Sequence, residues 1–404
     1  MVKEKIEEFE KRVLFNTYAR YPLEIVRGEG VWLYDSSGKR YCDFLAGISV
    51  CNLGHCNPEI NEVIKEQISK LIHISNLFYQ RPQLELAESF LSTSNMDLVF
   101  FSNSGAEANE AAIKLARRYM QKVKKENRYK IITLEGSFHG RTLATLAATG
   151  QEKVKEGFDP LPPGFVHVPI NDKESLNRFV DKSTSAIMIE VIQGEGGVRT
   201  LDVEFLKEIQ KICKEKEILF IIDEIQTGLG RTGYFWAYQF ADLDPDIITS
   251  AKALANGLPI GAMMAKSFLK DAFPPGSHGS TFGGGPLVCS VANKVIEIIK
   301  RDKLYERAKT LGDELIKKLK ELKEEFSKDI IEVRGRGLMI GIEFENADRA
   351  KLVWEKLLEN GFISNITQQK VIRLLPPLII KEEHINMFIE ALTSILKNLK
   401  TSKN

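Results

Sequence analysis

The sequence has few cysteines, almost no net charge and no long apolar run, and each of these absences excludes a class of protein. Five cysteines in 404 residues are too few, and odd in number, for a disulfide framework, which indicates a reducing, cytoplasmic setting. Lysine and arginine exceed aspartate and glutamate by one, 56 against 55, so a nucleic-acid partner is not expected. No apolar run approaches the roughly 20 residues of a membrane-spanning helix, so we expect no membrane partner.

The first residues, MVKEKIEEFEKR, also lack the apolar core of an export signal, and we therefore expect no secretion. Hydrophobic residues make up 43% of the chain and charged residues 27%, which is typical of a folded globular protein rather than a disordered one. A length of 404 residues predicts two or three domain-sized units.

Two short patterns look functional but indicate only ordinary structure. Cys42, Cys51, His55 and Cys56 lie close together, but without C-x-x-C spacing they predict buried thiols and no metal site. Residues 228–233, GLGRTG, fit the G-x-G-x-x-G pattern of a dinucleotide-binding loop. That pattern must join a strand directly to a helix, which it does not do here, so a tight glycine-rich loop is predicted instead.

The middle of the chain alternates short apolar runs with helical patterns. Strands are predicted at 98–102, 130–134, 186–190, 218–223, 246–250 and 261–265, with helices at 106–123 and 203–216. Apolar runs separated by helices are typical of a mostly parallel sheet covered on both faces. The predicted fold class is therefore α/β.

The character of the sequence changes after about residue 290, where two long charged helices lead into further strands and a helix. This pattern predicts a smaller α+β unit. An N-terminal hairpin is predicted from strands at 30–35 and 41–44, and it could join that unit because chain termini often lie close together. We therefore expect a large domain over 58–290 and a small domain formed by 1–57 and 291–404.

Three polar features follow predicted strands, and each has a functional and an ordinary interpretation. Residues 102–109, SNSGAEAN, could bind phosphate at a helix start, or Ser104 could simply cap the helix. Asp223 ends an apolar strand, where it could face a pyridinium nitrogen or cap the next loop. Lys252 follows another strand among small residues, where burial would make its amine a nucleophile, although most lysines extend into solvent.

Taken together, a phosphate cradle, a carboxylate for a ring nitrogen and a Schiff-base lysine are the groups that hold pyridoxal 5'-phosphate. At this point the sequence resembles the class III pyridoxal-phosphate aminotransferases over nearly its whole length, and within that family the acetylornithine type. The stretches that carry the resemblance are SGAEAN (104–109), SFHGR (137–141), EVIQGE (190–195), DEIQTG (223–228) and HGSTFGG (278–284).

The resemblance implies the fold and the cofactor site. It implies pyridoxal-phosphate transferase fold type I, with a large domain and a smaller α+β domain. Lys252 would bind the cofactor aldehyde and later move the proton, and Asp223 would pair with the ring nitrogen. The cofactor would also be held by Gly105 and Ala106 at its phosphate, by Phe138 on its ring, and by Glu224, Ile225 and Gln226. Thr281 would reach the phosphate of the neighbouring subunit, so a homodimer is implied.

The resemblance also implies a substrate site. Arg141, Ser280 and Tyr18 would hold a donor such as N2-acetylornithine. Arg373 would bind the α-carboxylate of 2-oxoglutarate or glutamate, and Glu195 would mask Arg373 when no such carboxylate is present. This arrangement suits one site that must accept amines with and without a neighbouring carboxylate, because an unpaired buried charge is costly.

The implied activity is therefore transfer of the terminal amino group of N2-acetylornithine to 2-oxoglutarate in arginine biosynthesis. Another ω-aminotransferase, acting on ornithine, 4-aminobutyrate or succinyl-diaminopimelate, is the alternative, and a dimer that only binds the cofactor is a more distant one. Two departures bear on substrate preference: many relatives have threonine at Ala106 and asparagine at Gly285.

Overall fold

The computed structural model describes residues 6–401, in which helices and strands alternate through the middle of the chain. The helical elements are α1 Ile6–Val13, α2 Ala46–Ser49, α3 Pro58–Ile68, α4 Arg81–Leu91, α5 Gly105–Arg118, α6 Leu143–Ala148, α7 Lys173–Phe179, α8 Val203–Lys216, α9 Pro286–Arg301, α10 Leu304–Glu325, α11 Ala347–Glu359 and α12 Glu382–Thr401. The strands are β1 Ile25–Glu29, β2 Trp32–Asp35, β3 Arg40–Asp43, β4 Leu98–Ser102, β5 Lys130–Leu134, β6 Phe165–Val168, β7 Thr184–Ile189, β8 Ile192–Gln193, β9 Arg199–Thr200, β10 Leu219–Asp223, β11 Ile247–Ser250, β12 Gly261–Ala265, β13 Ile330–Arg336, β14 Met339–Phe344, β15 Phe362–Ile363, β16 Asn365–Thr367 and β17 Val371–Leu374.

The largest sheet has seven strands in the order β4-β12-β11-β10-β7-β5-β6. All neighbours are parallel except β12, which runs antiparallel to both β11 and β4. Every residue of β5, β7, β10, β11 and β12 is buried, because helices cover both faces. The predicted α/β fold with a mostly parallel sheet is confirmed.

Parallel strands place their carboxyl ends on one edge of this sheet, and that edge positions the chemistry. The strands β4, β5, β7, β10 and β11 all end there, and the loops that follow them carry the polar residues singled out from the sequence. Helix α5 leaves this edge and packs on β11 and β12 through small buried side chains such as Ala108, Ala111 and Ala112. The small side chains let the helix approach the sheet closely.

Two further sheets contain residues from both ends of the chain. The sheet β1-β2-β3-β15 joins the predicted hairpin to β15, which pairs in parallel with β3. The antiparallel sheet β13-β14-β17-β16 carries Arg373 on β17. Helix α9 begins at Pro286 and crosses residue 290, where the large domain was predicted to end. The division into two domains stays a prediction, and its residues 1–5 and 402–404 lie outside the described part.

Helix ends differ from the sequence-based bounds for local reasons. The helix predicted at 106–123 is α5 followed by a π-helical turn over Tyr119–Val123. Asn57 caps α3 as its side chain accepts hydrogen bonds from the backbone of Glu59 and Ile60, and Pro58 occupies the first turn. Across residues 6–401, no helix is both long and apolar enough to cross a bilayer.

Candidate active site

A cavity of about 420 Å³ lies at the carboxyl edge of the large sheet. Its wall includes eight residues that the sequence singled out: Gly105, Ala106, Phe138, Arg141, Asp223, Ile225, Gln226 and Lys252. They come from the ends of four different strands, β4, β5, β10 and β11, or from the segments that follow them, so only the folded chain brings them together. The same wall also contains His139 and Glu190, to which the sequence had assigned no role.

Asp223 is buried and its carboxylate is held by three donors. Asn109 Nδ2 and His139 Nδ1 donate to Oδ2 over 2.7 and 2.8 Å, and the backbone amide of Ile225 donates to Oδ1 over 3.0 Å. These bonds account for a carboxylate at the end of a fully buried strand, because each removes part of its desolvation cost. The carboxylate is thereby fixed in direction at the cavity wall.

The two side-chain donors to Asp223 are themselves fixed. Asn109, on the buried face of α5, accepts a hydrogen bond from Thr249 Oγ1 over 2.7 Å and donates to the carbonyl of His139 over 2.8 Å. The ring of His139 is buried, and its Nε2 atom has no hydrogen-bond partner. Because a carboxylate only accepts, Nδ1 of His139 carries the proton in this contact.

Lys252 begins a short 3-10 turn two residues after the end of β11 and has a left-handed backbone, with φ of 47°. It is half-buried, and desolvation in the cavity wall lowers the pKa of its amine below the usual value. Nearby Glu195 acts to raise that pKa and Arg373 to lower it. A lysine with a depressed pKa has a larger neutral fraction, and the neutral amine is the nucleophile.

The start of α5 forms another part of the wall. The Ser104 hydroxyl accepts a hydrogen bond from the backbone of Glu107 over 3.2 Å, so the predicted cap is present. A cap leaves other first-turn amides without partners within the helix, and these attract anions. A Cβ atom on Gly105 would lie 2.8 Å from the side chain of Ile225, so glycine allows the loop after β10 to approach this helix start.

Phe138 and its neighbours form the wall that follows β5. The Phe138 amide donates to Glu190 Oε2 over 2.9 Å. Burial, reinforced by Asp223, raises the pKa of Glu190 above its usual value, while His139 lowers it. Arg141 is exposed at the mouth of the cavity, with its guanidinium 5.5 Å from the Phe138 ring. An exposed guanidinium at this position can bind an incoming carboxylate.

Gln226 links the cavity wall to an ion pair beside it. Arg373 is fully buried, and its Nη1 donates to Glu195 Oε1 over 2.5 Å and to Gln226 Oε1 over 3.0 Å. The Glu195 side chain keeps 29% of its surface exposed. Burial tends to raise the pKa of Glu195, but Arg373 and Lys252 outweigh that effect and lower it. The predicted pairing of Glu195 with Arg373 is therefore present in the structure, with one fully buried partner and one partly exposed partner.

Four of the predicted residues lie outside both the cavity wall and the ion pair: Glu224, Ser280, Thr281 and Tyr18. The Glu224 side chain points away from the cavity, accepting hydrogen bonds from Thr227 Oγ1 and the backbone of Tyr238. Ser280 and Thr281 line a neighbouring cleft of about 300 Å³, although Ser280 Oγ accepts a hydrogen bond from Asn103, which lines the main cavity.

Tyr18 is 69% exposed and lies under the guanidinium of Arg20, 5.5 Å from its ring. The tyrosine close to the ion pair is Tyr21, whose hydroxyl donates to the carbonyl of Ser364 over 3.1 Å. Burial raises the pKa of Tyr21 to about 12, and Arg373 acts in the opposite direction. No local pattern distinguishes the two tyrosines, because Tyr21 is held by its contact with Ser364, which is 343 positions away.

The donor set of the cavity matches a flat aromatic group with an aldehyde, a basic ring nitrogen and a phosphate. Lys252, Asp223 and the start of α5 supply an amine, a carboxylate and free amides for these three features. The set does not match a metal, since within residues 6–401 no three His, Cys, Asp or Glu side chains are grouped to hold one. The residues present therefore fit pyridoxal phosphate.

Comparisons with known proteins agree with this geometry. The chain is 47% identical to an acetylornithine aminotransferase from Methanocaldococcus jannaschii, covering 99% of this chain and all of that one, and 49% identical to one from Aquifex aeolicus, covering 95% and 99%. A crystal structure of ornithine aminotransferase from Toxoplasma gondii, described as having partial occupancy of PLP at its active site, superposes with a TM-score of 0.95 at 32% identity, covering 99% and 96%. The sequence pattern of the family "Aminotransferase class-III" matches residues 15–396. The chain belongs to the class-III aminotransferases.

Proposed function

We propose that this chain transfers the terminal amino group of N2-acetylornithine to 2-oxoglutarate, forming glutamate, with pyridoxal 5'-phosphate as cofactor. The observation that carries the proposal is the pairing of a fully buried Arg373 with a partly exposed Glu195 beside the Lys252 cavity. Such a pair suits two amines that differ in a carboxylate at the reacting carbon. The relatives named acetylornithine aminotransferase support the choice of donor and a place in arginine biosynthesis.

The residues around the cavity would divide the work of holding the cofactor. Amides of Gly105 and Ala106 would bind the phosphate, Phe138 would lie against the ring, and Asp223 would pair with the ring nitrogen. Ile225 and Gln226 would line its other side, with Glu224 fixing their loop through its buried hydrogen bonds. When bound, the cofactor supplies an electron sink for negative charge at the substrate carbon.

Lys252 would hold the cofactor aldehyde and, once displaced by substrate, move the proton between carbon atoms. Its lowered pKa favours the neutral amine that both roles require. Asp223 would keep the ring nitrogen protonated, because its carboxylate is fixed by Asn109 and His139. The cavity walls would exclude water from the reacting carbon.

Substrate selection would depend on charge. Arg141 at the cavity mouth would bind the distal carboxylate of acetylornithine, and Ser280, which accepts a hydrogen bond from Asn103 in the cavity wall, would lie at the same end. Arg373 would bind the α-carboxylate of glutamate or 2-oxoglutarate after Glu195 turns toward solvent. For acetylornithine, whose reacting carbon bears no carboxylate, Glu195 would stay on Arg373, so that the buried guanidinium is neutralised in both half-reactions.

A homodimer would complete the site. Leu77 and Tyr79 are 88% and 99% exposed, and Asn76 on the same loop donates to the carbonyls of Ser280 and Gly283, which places this apolar segment beside Thr281. A second copy covering this surface would bring Thr281 to the phosphate in its neighbour's cavity.

None of the five cysteines is in a disulfide, which supports a reducing cytoplasm as the compartment.

The decisive experiment compares turnover of four donors, acetylornithine, ornithine, 4-aminobutyrate and succinyl-diaminopimelate, by the purified yellow protein. Borohydride reduction should attach the cofactor to Lys252, as peptide mass analysis would show. A higher kcat/KM for ornithine would replace the proposed substrate, and this alternative has support from the ornithine aminotransferase structure. A protein that binds the cofactor but turns over none of the donors would refute the enzymatic proposal.

Two variants test the assigned residues. Arg141→Ala should raise the KM for acetylornithine at least tenfold, with little effect on an uncharged amine, since one ion pair is lost. The matched control is Arg178→Ala, since Arg178 is also exposed, with its guanidinium 5.0 Å from a phenylalanine ring. For Thr281, mixing Thr281→Ala chains with Lys252→Ala chains should restore one intact site in each heterodimer, and no gain over the separate homodimers would contradict the shared site.

A further inference from the structure

The glycine-rich loop 228–233 contains Arg231, a fully buried arginine whose acceptors are all neutral. Its Nη1 donates to the carbonyls of Leu338 and Pro376 over 3.0 and 2.5 Å, and its Nη2 donates to Asn52 Oδ1 over 2.5 Å. Its Nε donates to Ser49 Oγ over 3.0 Å. Burial lowers the pKa of Arg231 to about 9. Burying a charged group without a close anionic partner costs free energy, and the hydrogen bonds of Arg231 must offset that cost.

One of these contacts stabilises a strained turn. In the turn α2, Ala46, Ile48 and Ser49 all have left-handed backbones, with φ of 49°, 64° and 62°. Residues other than glycine rarely adopt this region because the Cβ atom crowds the backbone, so the sequence alone disfavours the turn. Arg231 holds it through Ser49 Oγ, and the next residue, Val50, lines the main cavity.

The hydrogen bonds of Arg231 also connect it to two residues of the site, Gln226 and Arg373. Ser49 Oγ donates to the carbonyl of Gln226 over 3.2 Å. The Gln226 side chain accepts a hydrogen bond from Arg373 over 3.0 Å. Pro376 lies three residues after Arg373 in the chain, and its carbonyl accepts a hydrogen bond from Arg231. Arg231 therefore contacts the segment after Arg373 directly, and it contacts the segment that carries Gln226 through the Ser49 hydroxyl. These two segments carry the hydrogen bond between Gln226 and Arg373.

We propose that Arg231 is a positioning residue that sets the distance between Gln226 and Arg373, and so the affinity of the site for an α-carboxylate. The proposal rests on the proposed function, in which Arg373 binds that carboxylate. Replacing Arg231 would free the strand end after Arg373 from the loop after Gln226. Only a ligand that uses Arg373 would then bind more weakly, whereas acetylornithine would not.

The experiment follows the two half-reactions separately in the holoenzyme, by the absorbance of the bound cofactor. Arg231→Met should raise the KM for glutamate at least tenfold and the KM for acetylornithine less than twofold. Ser49→Ala removes the hydroxyl that accepts from Arg231 and donates to Gln226, but it leaves the contacts of Arg231 with Asn52, Leu338 and Pro376 in place. It should shift the same ratio in the same direction by a smaller factor. Arg231→Lys keeps the charge without the planar fork and should give an intermediate value.

The matched control is Arg349→Met, because Arg349 is also a buried arginine but pairs with Asp329, and neither residue lines the cavity. It should lower the melting temperature and leave the ratio of the two KM values within twofold. Equal changes in both KM values, or none, in folded Arg231→Lys and Ser49→Ala proteins would overturn the proposal even if Arg231→Met does not fold.

Failure of the proposed function would look different. In that case the wild-type protein itself would not turn over acetylornithine. Calorimetric binding of glutarate, a dicarboxylate without an amino group, would then test Arg231 without any turnover, with the same tenfold loss expected in Arg231→Met. Unchanged glutarate affinity in that variant would overturn the positioning role.

Discussion

Replacing Glu195 by glutamine removes one charge of the Glu195–Arg373 pair while nearly preserving its shape. In the structure Arg373 is fully buried, and its Nη1 donates to both Glu195 and Gln226. In the proposed reaction glutamate would place its α-carboxylate on Arg373 by displacing Glu195, so part of its binding energy would be used for that exchange. In the Glu195→Gln protein the exchange no longer breaks an ion pair.

The size of the effect follows from the geometry. Two unit charges about 4 Å apart interact with about 4 kcal/mol at an effective dielectric constant of about 20. The Glu195 side chain is 29% exposed, so solvent screening reduces this figure, by about half, to ~2 kcal/mol. That energy corresponds to about a 30-fold fall in the KM for glutamate. In the proposed reaction acetylornithine would leave Arg373 in the same state before and after binding, so its KM should change less than threefold.

The assay is the half-reaction with each donor at pH 8, with Glu332→Gln as the control. Glu332 also pairs with an arginine, Arg334, but at the surface of the sheet β13-β14-β17-β16. The variant should also melt at a lower temperature, since it leaves Arg373 without an anionic partner. An unchanged KM for glutamate, or equal shifts for both donors, would refute the idea that Glu195 competes with the substrate carboxylate.

Three further perturbations have defined outcomes. Gly261→Ala would place a Cβ atom 2.2 Å from the Ser104 carbonyl oxygen. We therefore expect the free energy of unfolding, measured in urea, to fall by about 1–3 kcal/mol and cofactor binding to weaken. If both values were unchanged, the close packing at Gly261 would be contradicted. Asn109→Ala removes a donor from the buried Asp223 carboxylate and should cost about 1.5–3 kcal/mol in the same assay, whereas a loss below about 0.5 kcal/mol would show that the bond is unimportant. Burial raises the pKa of Asp246 to about 6, above that in the unfolded chain, so the folded state binds the extra proton between about pH 4 and 6 and loses stability as pH rises through that window. The melting temperature of Asp246→Asn relative to wild type should therefore rise from pH 4 to 6 and stay level above, and a difference independent of pH would refute this assignment.

The residues that could be predicted from sequence are those whose role follows from their place on a strand. Asp223 and Lys252 each follow an apolar run, and in a parallel sheet such positions converge on one edge. Gly105 and Ser104 follow the same logic at the start of a helix, where amides are free. For these residues local pattern and strand direction predict convergence, and all four line the cavity together with Gln226.

Other residues could not be found in this way, because their partners are distant in sequence. Asn109 meets Asp223 across 114 positions, and His139 meets it across 84. Arg231 was correctly placed in a glycine-rich loop, but its contacts with Ser49 and Pro376 span 182 and 145 positions. Hydrogen bonds of this kind have no local signature, since any buried polar side chain of suitable length could serve.

The near-zero net charge of the chain conceals a group of strongly coupled charges around one cavity. Lys252 and Arg373 repel each other, and Glu195 attracts both. A change in the charge or position of Glu195 therefore alters the electrostatic environment of the lysine as well as that of the arginine. In the proposed reaction a substrate carboxylate would replace Glu195 on Arg373, so the local charge would be conserved rather than increased. The nucleophilic amine would then experience nearly the same field in both half-reactions, which is the condition for one lysine to serve two donors that differ by a full negative charge.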